Sequence, residues 1–144
     1  MPFYFTPYSP MLYNIKTGWK GIARRSMAEI VILVSSLPTL TEQGVQFLFT
    51  DRHASLLNAT FSGELRAVHQ LDWKIWQARD FSRSPNDPDK LARYQAEALA
   101  YQHVPVAALQ GVVCHGGEQE TVLLEMVHNS NAALKVMSRP GWYV

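Results

Sequence analysis

The sequence has little charge, a single cysteine and no long apolar run. Only 17% of its 144 residues are charged, and the net charge is +1. A protein that covers duplex phosphates over a broad face is usually far more basic, so any nucleic-acid partner is expected to be gripped locally, at one site. The lone Cys114 excludes an internal disulfide and a cysteine-based zinc site. It reads as a buried small residue in a reducing compartment, with a reactive thiol as the alternative. No apolar stretch reaches the ~18 residues needed to span a bilayer. The opening Met-Pro-Phe-Tyr-Phe lacks the basic start and apolar h-region of a signal peptide. A cytoplasmic protein with no membrane partner is expected. The histidines (His53, His69, His103, His115 and His128) are scattered without ligand spacing, and no H-E-x-x-H occurs, so no metal is expected. Glycine-rich phosphate loops and a G-x-S-x-G serine are also missing.

What is present suits one domain with a packed core, since 47% of residues are hydrophobic. Pro2 to Phe5 reads as an apolar strand that begins at once. Chain ends usually lie loose and exposed, so this start leads us to expect further sequence upstream. Ser9 before Pro10 is an N-cap followed by proline at the first helical position, predicting a short helix over Met11 to Ile15 that ends near Gly18. Residues 16–28 are the most basic stretch, with Lys16, Lys20, Arg24, Arg25 and Trp19. This reads as a solvated loop, with a phosphate contact as the alternative. Glu29 to Val34 is apolar and β-branched, hence expected to be a central strand.

A helical turn over Thr39–Gln43, a strand over Val45–Phe49 and a helix over Glu64–Trp76 follow, the last from the spacing of Leu65, Val68, Leu71 and Ile75. A polar loop, Ser82 to Asp89, precedes a helix through Tyr94, with Asp87 or Asp89 as cap. Strands are predicted at Ala96–Tyr101, Leu109–Cys114 and Ala133–Met137. An amphipathic helix over Glu118–Asn129 is expected to turn Val122, Leu123, Met126 and Val127 to one face. The sum is a mixed α+β fold with five or six strands and no repeats.

Three clusters carry candidate chemistry. The first is Gln95-Ala96-Glu97, where strand spacing would project the amide and the carboxylate into one cleft. A carboxylate that hydrogen-bonds ribose hydroxyls stabilises the positive charge that develops when a glycosidic bond breaks. A surface glutamate beside a strand is the ordinary alternative. The second is Phe49-Thr50-Asp51-Arg52-His53, charged residues at a strand end, where loops carry sites; a local ion-pair network is the alternative. The third is Pro7-Tyr8-Ser9-Pro10-Met11-Leu12-Tyr13, whose aromatics would suit a ring or base, or simply the core.

In order along the chain, PFYFTPYSPMLY (2–13), FTDRHA (49–54), LDW (71–73) and RYQAEALAY (93–101) resemble the DarT family. These are bacterial toxins that ADP-ribosylate thymidine in single-stranded DNA and are paired with a macrodomain antitoxin that removes the mark. The closing Trp142-Tyr143 also fits. The resemblance covers essentially the whole chain, but only the latter two-thirds or so of a DarT domain. It implies an ADP-ribosyltransferase-like mixed sheet with flanking helices, lacking its N-terminal NAD-binding part.

Glu97 falls on the family's catalytic glutamate, which orients the nicotinamide ribose, and Gln95 lies two positions before it. The segment from about Leu56 to Glu97 matches the ADP-ribosylating turn-turn loop that shapes the acceptor site. Substrate-binding roles are expected for Gln95, Arg52, His53, Tyr8 and Met11. Tyr8 departs from the family's more usual arginine, which removes a cation from that position.

The resemblance also implies NAD as co-substrate, with no metal, and single-stranded DNA and the macrodomain antitoxin as partners. The cofactor-binding residues, a strand with a His-x-Thr type motif, and an arginine used in proton abstraction are expected upstream of residue 1. Arg24, Arg25 and Arg52 do not match that arginine's motif, so the chain alone is expected to be weak or inactive. His53 is the local candidate for a base, and Trp73, Trp76, Arg79 and Arg83 are candidates for contacts with the strand, core packing being the alternative for the tryptophans. Two rival readings stay open: a non-catalytic remnant that binds DNA or the antitoxin, and a transferase acting on protein or RNA.

Overall fold

The computed structural model describes residues 1–144 and is mixed α+β, with two sheets and flanking helices. Strand β1 (Pro2–Tyr4) leads into α1 (Pro10–Thr17), where the Ser9 hydroxyl accepts from the Leu12 N–H and Pro10 opens the helix. Gly18 ends it in the left-handed region at φ 74°, a conformation that disfavours a Cβ. Next come β2 (Ile32–Val34), α2 (Leu37–Glu42), β3 (Phe47–Thr50), β4 (Phe61–Ser62), α3 (Trp73–Gln77) and α4 (Lys90–Tyr94). The chain closes with β5 (Glu97–Ala100), β6 (Gly111–Cys114), α5 (Gly117–Asn129) and β7 (Lys135–Ser138). No helix is long and apolar enough to cross a membrane.

The first sheet has the order β1-β5-β3-β4, all antiparallel, and β5 lies between β1 and β3. Its register pairs Tyr4 with Glu97 on one side and Phe49 with Ala98 on the other. The second sheet has the order β2-β6-β7, with β6 and β7 parallel. Leu37, Leu40, Phe49, Ala98 and Ala108 form the core under the first sheet, while Leu12, Met27, Val113 and Tyr143 form that under the second. A third cluster joins Ile75, Trp76, Tyr94 and Ala96.

Several expectations are corrected. The Glu29–Val34 run is not a central strand: β2 begins only at Ile32 and lies at a sheet edge. Ile30, Ile32 and Val34 pack on the core, whereas Val31 and Leu33 face outward, so an apolar run hides a one-sided strand. Its start is taken by a 3₁₀ turn, Met27–Glu29, fixed by a capping box between Ser26 and Glu29. The expected Glu64–Trp76 helix is two pieces, a 3₁₀ turn at Leu65–Gln70 and α3, separated by extended Leu71 at ψ 155°. The indoles explain the break: Trp73 Nε1 donates to the Val68 carbonyl and Trp76 Nε1 to the Tyr94 carbonyl, both at 2.9 Å. Seven strands form, not five or six, because Phe61–Ser62 adds a two-residue pairing. Helix α5 buries none of its residues fully, and Val122 and Met126 are exposed.

Two predictions follow from the second sheet. A Cβ at Gly111 would come within 2.8 Å of the Lys135 carbonyl oxygen, so Gly111→Ala must push β6 and β7 apart. It should lower stability by about 1–3 kcal/mol, read as a lower urea midpoint at unchanged slope. Tyr143 donates its phenol to the Ile30 or Val113 carbonyl, each at 2.9 Å, and ties the C-terminus to β6. Burial, and then the neighbouring Cys114, raise its pKa from 10.0 to about 12. The unfolded chain therefore loses this proton first as pH rises. The stability linked to neutral Tyr143 is full below about pH 10 and is lost between 10 and 12. Tyr143→Phe should flatten that part of the alkaline unfolding curve.

Candidate active site

Glu97 opens β5 in the middle of the first sheet and is only 7% exposed. Ionised carboxylates are seldom buried without partners, and the partners here come from the end of β3. The Ala54 N–H donates to Glu97 Oε1 at 3.4 Å, and His53 Nδ1 lies 3.5 Å from the same oxygen. That nitrogen also accepts from the Ser55 N–H at 3.2 Å. No hydrogen bond engages Oε2, and no fully buried polar side-chain atom lacks a partner. Oε2 therefore reaches the surface with its lone pairs free. Across the β1 pairing, burial first and the Glu97 charge second push the Tyr4 phenol above its ordinary value.

Thr50 sets the position of this carboxylate. Its side chain is fully buried, and its hydroxyl accepts from the Glu97 N–H at 3.0 Å and donates to the Glu97 carbonyl at 3.3 Å. Strand pairing between β3 and β5 runs through Phe49 and Ala98, and one residue further on the hydroxyl takes over the work of a ladder bond. The motif around Thr50 was visible in the sequence, but no role for its hydroxyl was.

The remaining candidates fall in three places. Gln95 is the C-terminal cap of α4, at φ −92° and ψ 20°, not part of the strand. The alternation expected to align it with Glu97 therefore does not apply, because the chain is still leaving the helix. Arg52 is held between Asp51 at 3.3 Å and Asp89 at 3.5 Å, so its charge is largely satisfied within the fold. Burial alone would raise the Asp51 carboxyl, but hydrogen bonds from Thr60 and the charge of Arg52 outweigh it and hold it below its ordinary value. Met11 is half exposed on α1. Tyr8 lines a cavity of about 350 Å³ with Phe5, Trp73, Trp76, Arg79 and Trp142, and the Arg79 guanidinium lies 6.0 Å from its ring. Phe5 stacks on Trp76 at 5.1 Å. Arg83 is exposed on the loop before α4. No three His, Cys, Asp or Glu side chains come together as a ligand set.

The sequence motifs meet in this region. Arg93 forms two parallel hydrogen bonds to Asp87, at 3.0 and 2.7 Å, and a third to Asp72 at 3.2 Å. Tyr94 donates its phenol to the Tyr8 carbonyl at 2.7 Å. The 2–13 segment, the 71–73 segment and the 93–101 segment are thereby fastened together just before Glu97.

A sequence profile described as "ssDNA thymidine ADP-ribosyltransferase, DarT" matches residues 1–144. The chain belongs to the DarT family. A DNA ADP-ribosyl transferase of Escherichia coli O127:H6 is 48% identical over 143 residues, which are 99% of this chain and 66% of that protein. One from Thermus sp. strain 2.9 is 34% identical, covering 99% of this chain and 68% of the relative. The chain thus spans about two thirds of the length of these curated DarT relatives.

Two solved DarT structures are similar throughout. Thermus sp. 2.9 DarT in complex with carba-NAD+ superposes with a TM-score of 0.88 at 32% identity, over 100% of this chain and 72% of that one. The same protein in complex with ADP-ribosylated ssDNA gives 0.87 at 32% identity, over 99% and 68%. Thermosipho africanus DarTG, 17% identical with a TM-score of 0.71, shares the fold.

Thr50→Val removes the hydroxyl while nearly keeping the shape and leaves the Glu97 N–H unpaired in the interior. It should cost about 1–3 kcal/mol, measured by chemical denaturation. A hydroxyl-retaining Thr50→Ser should lose less.

Proposed function

We propose that this chain carries the catalytic carboxylate of a transferase that moves ADP-ribose from NAD+ to thymidine in single-stranded DNA, and that Glu97 is that carboxylate. The observation that carries this reading is the arrangement of its two oxygens. Oε1 is held by the Ala54 N–H beside His53, and Oε2 is left free at the surface. One oxygen anchors the group and the other can accept from a ribose hydroxyl, which fits the donor substrate. Family membership supports the reading, as do the complexes of the one Thermus relative with NAD+ and with ADP-ribosylated ssDNA.

NAD+ supplies an anomeric carbon whose bond to nicotinamide breaks, the leaving ring keeping the bonding electron pair. The protein's part is electrostatic. A carboxylate poised beside the ribose favours the positive charge that develops there, and in a water-poor site that help is larger than in bulk water. Thymine joins through a ring nitrogen, so its proton must go to a base as the new carbon–nitrogen bond forms. His53, whose Nδ1 is 3.5 Å from Glu97, is the local base. Gln95, at the end of α4, and the aromatic cavity around Tyr8 and Trp73 are proposed to contact the acceptor strand. A single-stranded target requires no unpairing of the base.

A macrodomain antitoxin that reverses the mark, a toxin role and a cytoplasmic location complete this reading. The chain is proposed to be the larger part of a DarT domain, with the remaining NAD-binding residues supplied by sequence outside it. Labelled NAD+ incubated with a thymidine-containing oligonucleotide, with and without the remaining third of the E. coli relative added in trans, tests the reading. Label should move to the oligonucleotide, and Glu97→Gln should reduce transfer at least ~100-fold. Label on protein extract or RNA, or transfer untouched by Glu97→Gln, would overturn it. Oligonucleotide binding without any transfer would favour a non-catalytic binding protein.

A further inference from the structure

The net charge of +1 conceals a strong segregation. Residues 1–28 contain Lys16, Lys20, Arg24 and Arg25 and no acidic residue, so every carboxylate side chain follows them. The fold gathers these cations. Gly18 reverses the chain after α1, and the Arg25 N–H returns to the Ile15 carbonyl at 3.1 Å. The Cβ of Arg24 lies 3.6 Å from where a Cβ on Gly18 would stand. Lys16, Arg24, Arg25, Ser26 and Met27 line an open cavity of about 490 Å³. Lys20 sits at the tip with φ 53°, a backbone conformation uncommon for a residue with a side chain.

Little neutralises this group. Arg25 approaches Glu29 only at 3.9 Å, and Glu29 already accepts from the Ser26 N–H at 2.8 Å. Lys16 donates to the main-chain oxygen of Val144. Lys20 and Arg24 have no side-chain partner and are exposed. Among the cations stands Trp19, 57% exposed and packed in no aromatic pair. Solvated cations need no tryptophan beside them. A groove that follows a single strand does, because phosphates take the cations while a base stacks on the ring.

We propose that Lys16, Trp19, Lys20, Arg24 and Arg25 form a second contact site that grips the phosphate backbone of single-stranded DNA beside the acceptor nucleotide. The proposal rests on the DNA-modifying reading above. Its place in the fold suits the role. Tyr8 lines the aromatic cavity, α1 starts two residues later, and its 8 residues run to the basic turn, a distance of roughly 12 Å at 1.5 Å per residue. The C-terminus bridges the two places as well, since Trp142 lines the cavity and Val144 receives Lys16. Of the guanidinium groups near the site, Arg52 and Arg93 are already taken by carboxylates and Arg79 meets the Gly141 carbonyl and the Tyr8 ring, so this turn is the largest group of cations left to a strand.

The test is equilibrium binding of a fluorescent single strand of roughly 16 nucleotides, and of a matched one of roughly 4, across a salt series. Each cation that meets a phosphate contributes about 0.7 to the slope of log K against log salt. Lys20→Gln/Arg24→Gln should lower that slope by about 1.4 on the long strand and weaken binding about tenfold at low salt, with the thermal midpoint unchanged. The short strand should bind nearly equally to both proteins. Trp19→Ala should weaken the long strand's binding about tenfold without changing the slope.

An unchanged slope in the double variant would overturn the proposal. So would loss of binding to phosphatidylserine vesicles with oligonucleotide binding intact, which would assign the patch to a lipid surface. The assay measures no transfer, so failure of the Glu97 reading is seen separately. A chain that transfers nothing but shows the salt-dependent loss keeps this site and loses the catalytic role.

Discussion

A carboxylate set into the middle of a sheet has to be held there, and in this protein Thr50 and the chain just after it do the holding. Desolvating an ionised group is costly unless hydrogen bonds replace the lost water. Glu97 meets that cost with the Ala54 N–H and an oxygen that still reaches the surface. The Thr50 hydroxyl takes both main-chain groups of Glu97 at the point where strand pairing gives way to the loop. The loop can therefore turn across the carboxylate without leaving unpaired groups behind. β5 is central in its sheet, so small shifts of either neighbour would carry through to Glu97.

The surrounding charges divide into two populations with different consequences. Arg52 and Arg93 are bound by carboxylates from the residue after β3 (Asp51), the loop before α4 (Asp87 and Asp89) and the Leu71–Trp73 segment (Asp72). A bidentate Arg–carboxylate pair fixes orientation as well as distance, so Arg93 brings Asp87 and Asp72 to the residue before Tyr94. Tyr94 in turn binds the Tyr8 carbonyl and accepts the Trp76 indole on its own carbonyl. Such ion pairs add modestly to stability where they are exposed, but together they fasten the chain just before Glu97. The cations of the turn after α1 have no comparable partners and remain available to a ligand.

Local signals in the sequence were reliable where the chain obeys local rules. The Ser9-Pro10 start and Gly18 end of α1 were legible because capping and left-handed glycine depend on neighbouring residues alone. Strands β5, β6 and β7 were legible within a residue or two. The apolar run at Glu29–Val34 misled because composition does not say which face a strand buries; that is decided by Leu12, Val113 and Tyr143 from distant parts of the chain. The break at Leu71 was hidden for a related reason, since the indoles of Trp73 and Trp76 bond carbonyls that helical spacing does not anticipate.

The order of its motifs was enough to determine the family of this protein and to mark Glu97 as the candidate carboxylate, because the motifs are short segments whose residues are read directly from the chain. Tertiary structure alone decided that Glu97 is buried with one oxygen free, that Gln95 belongs to a helix end, and that Arg52 is already paired. The burial of Glu97 and the Arg52–Asp89 pair depend on atoms brought together from positions dozens of residues apart. Burial, hydrogen-bond saturation and the grouping of charge are properties of three-dimensional neighbourhoods, which a linear pattern of residues constrains but does not specify.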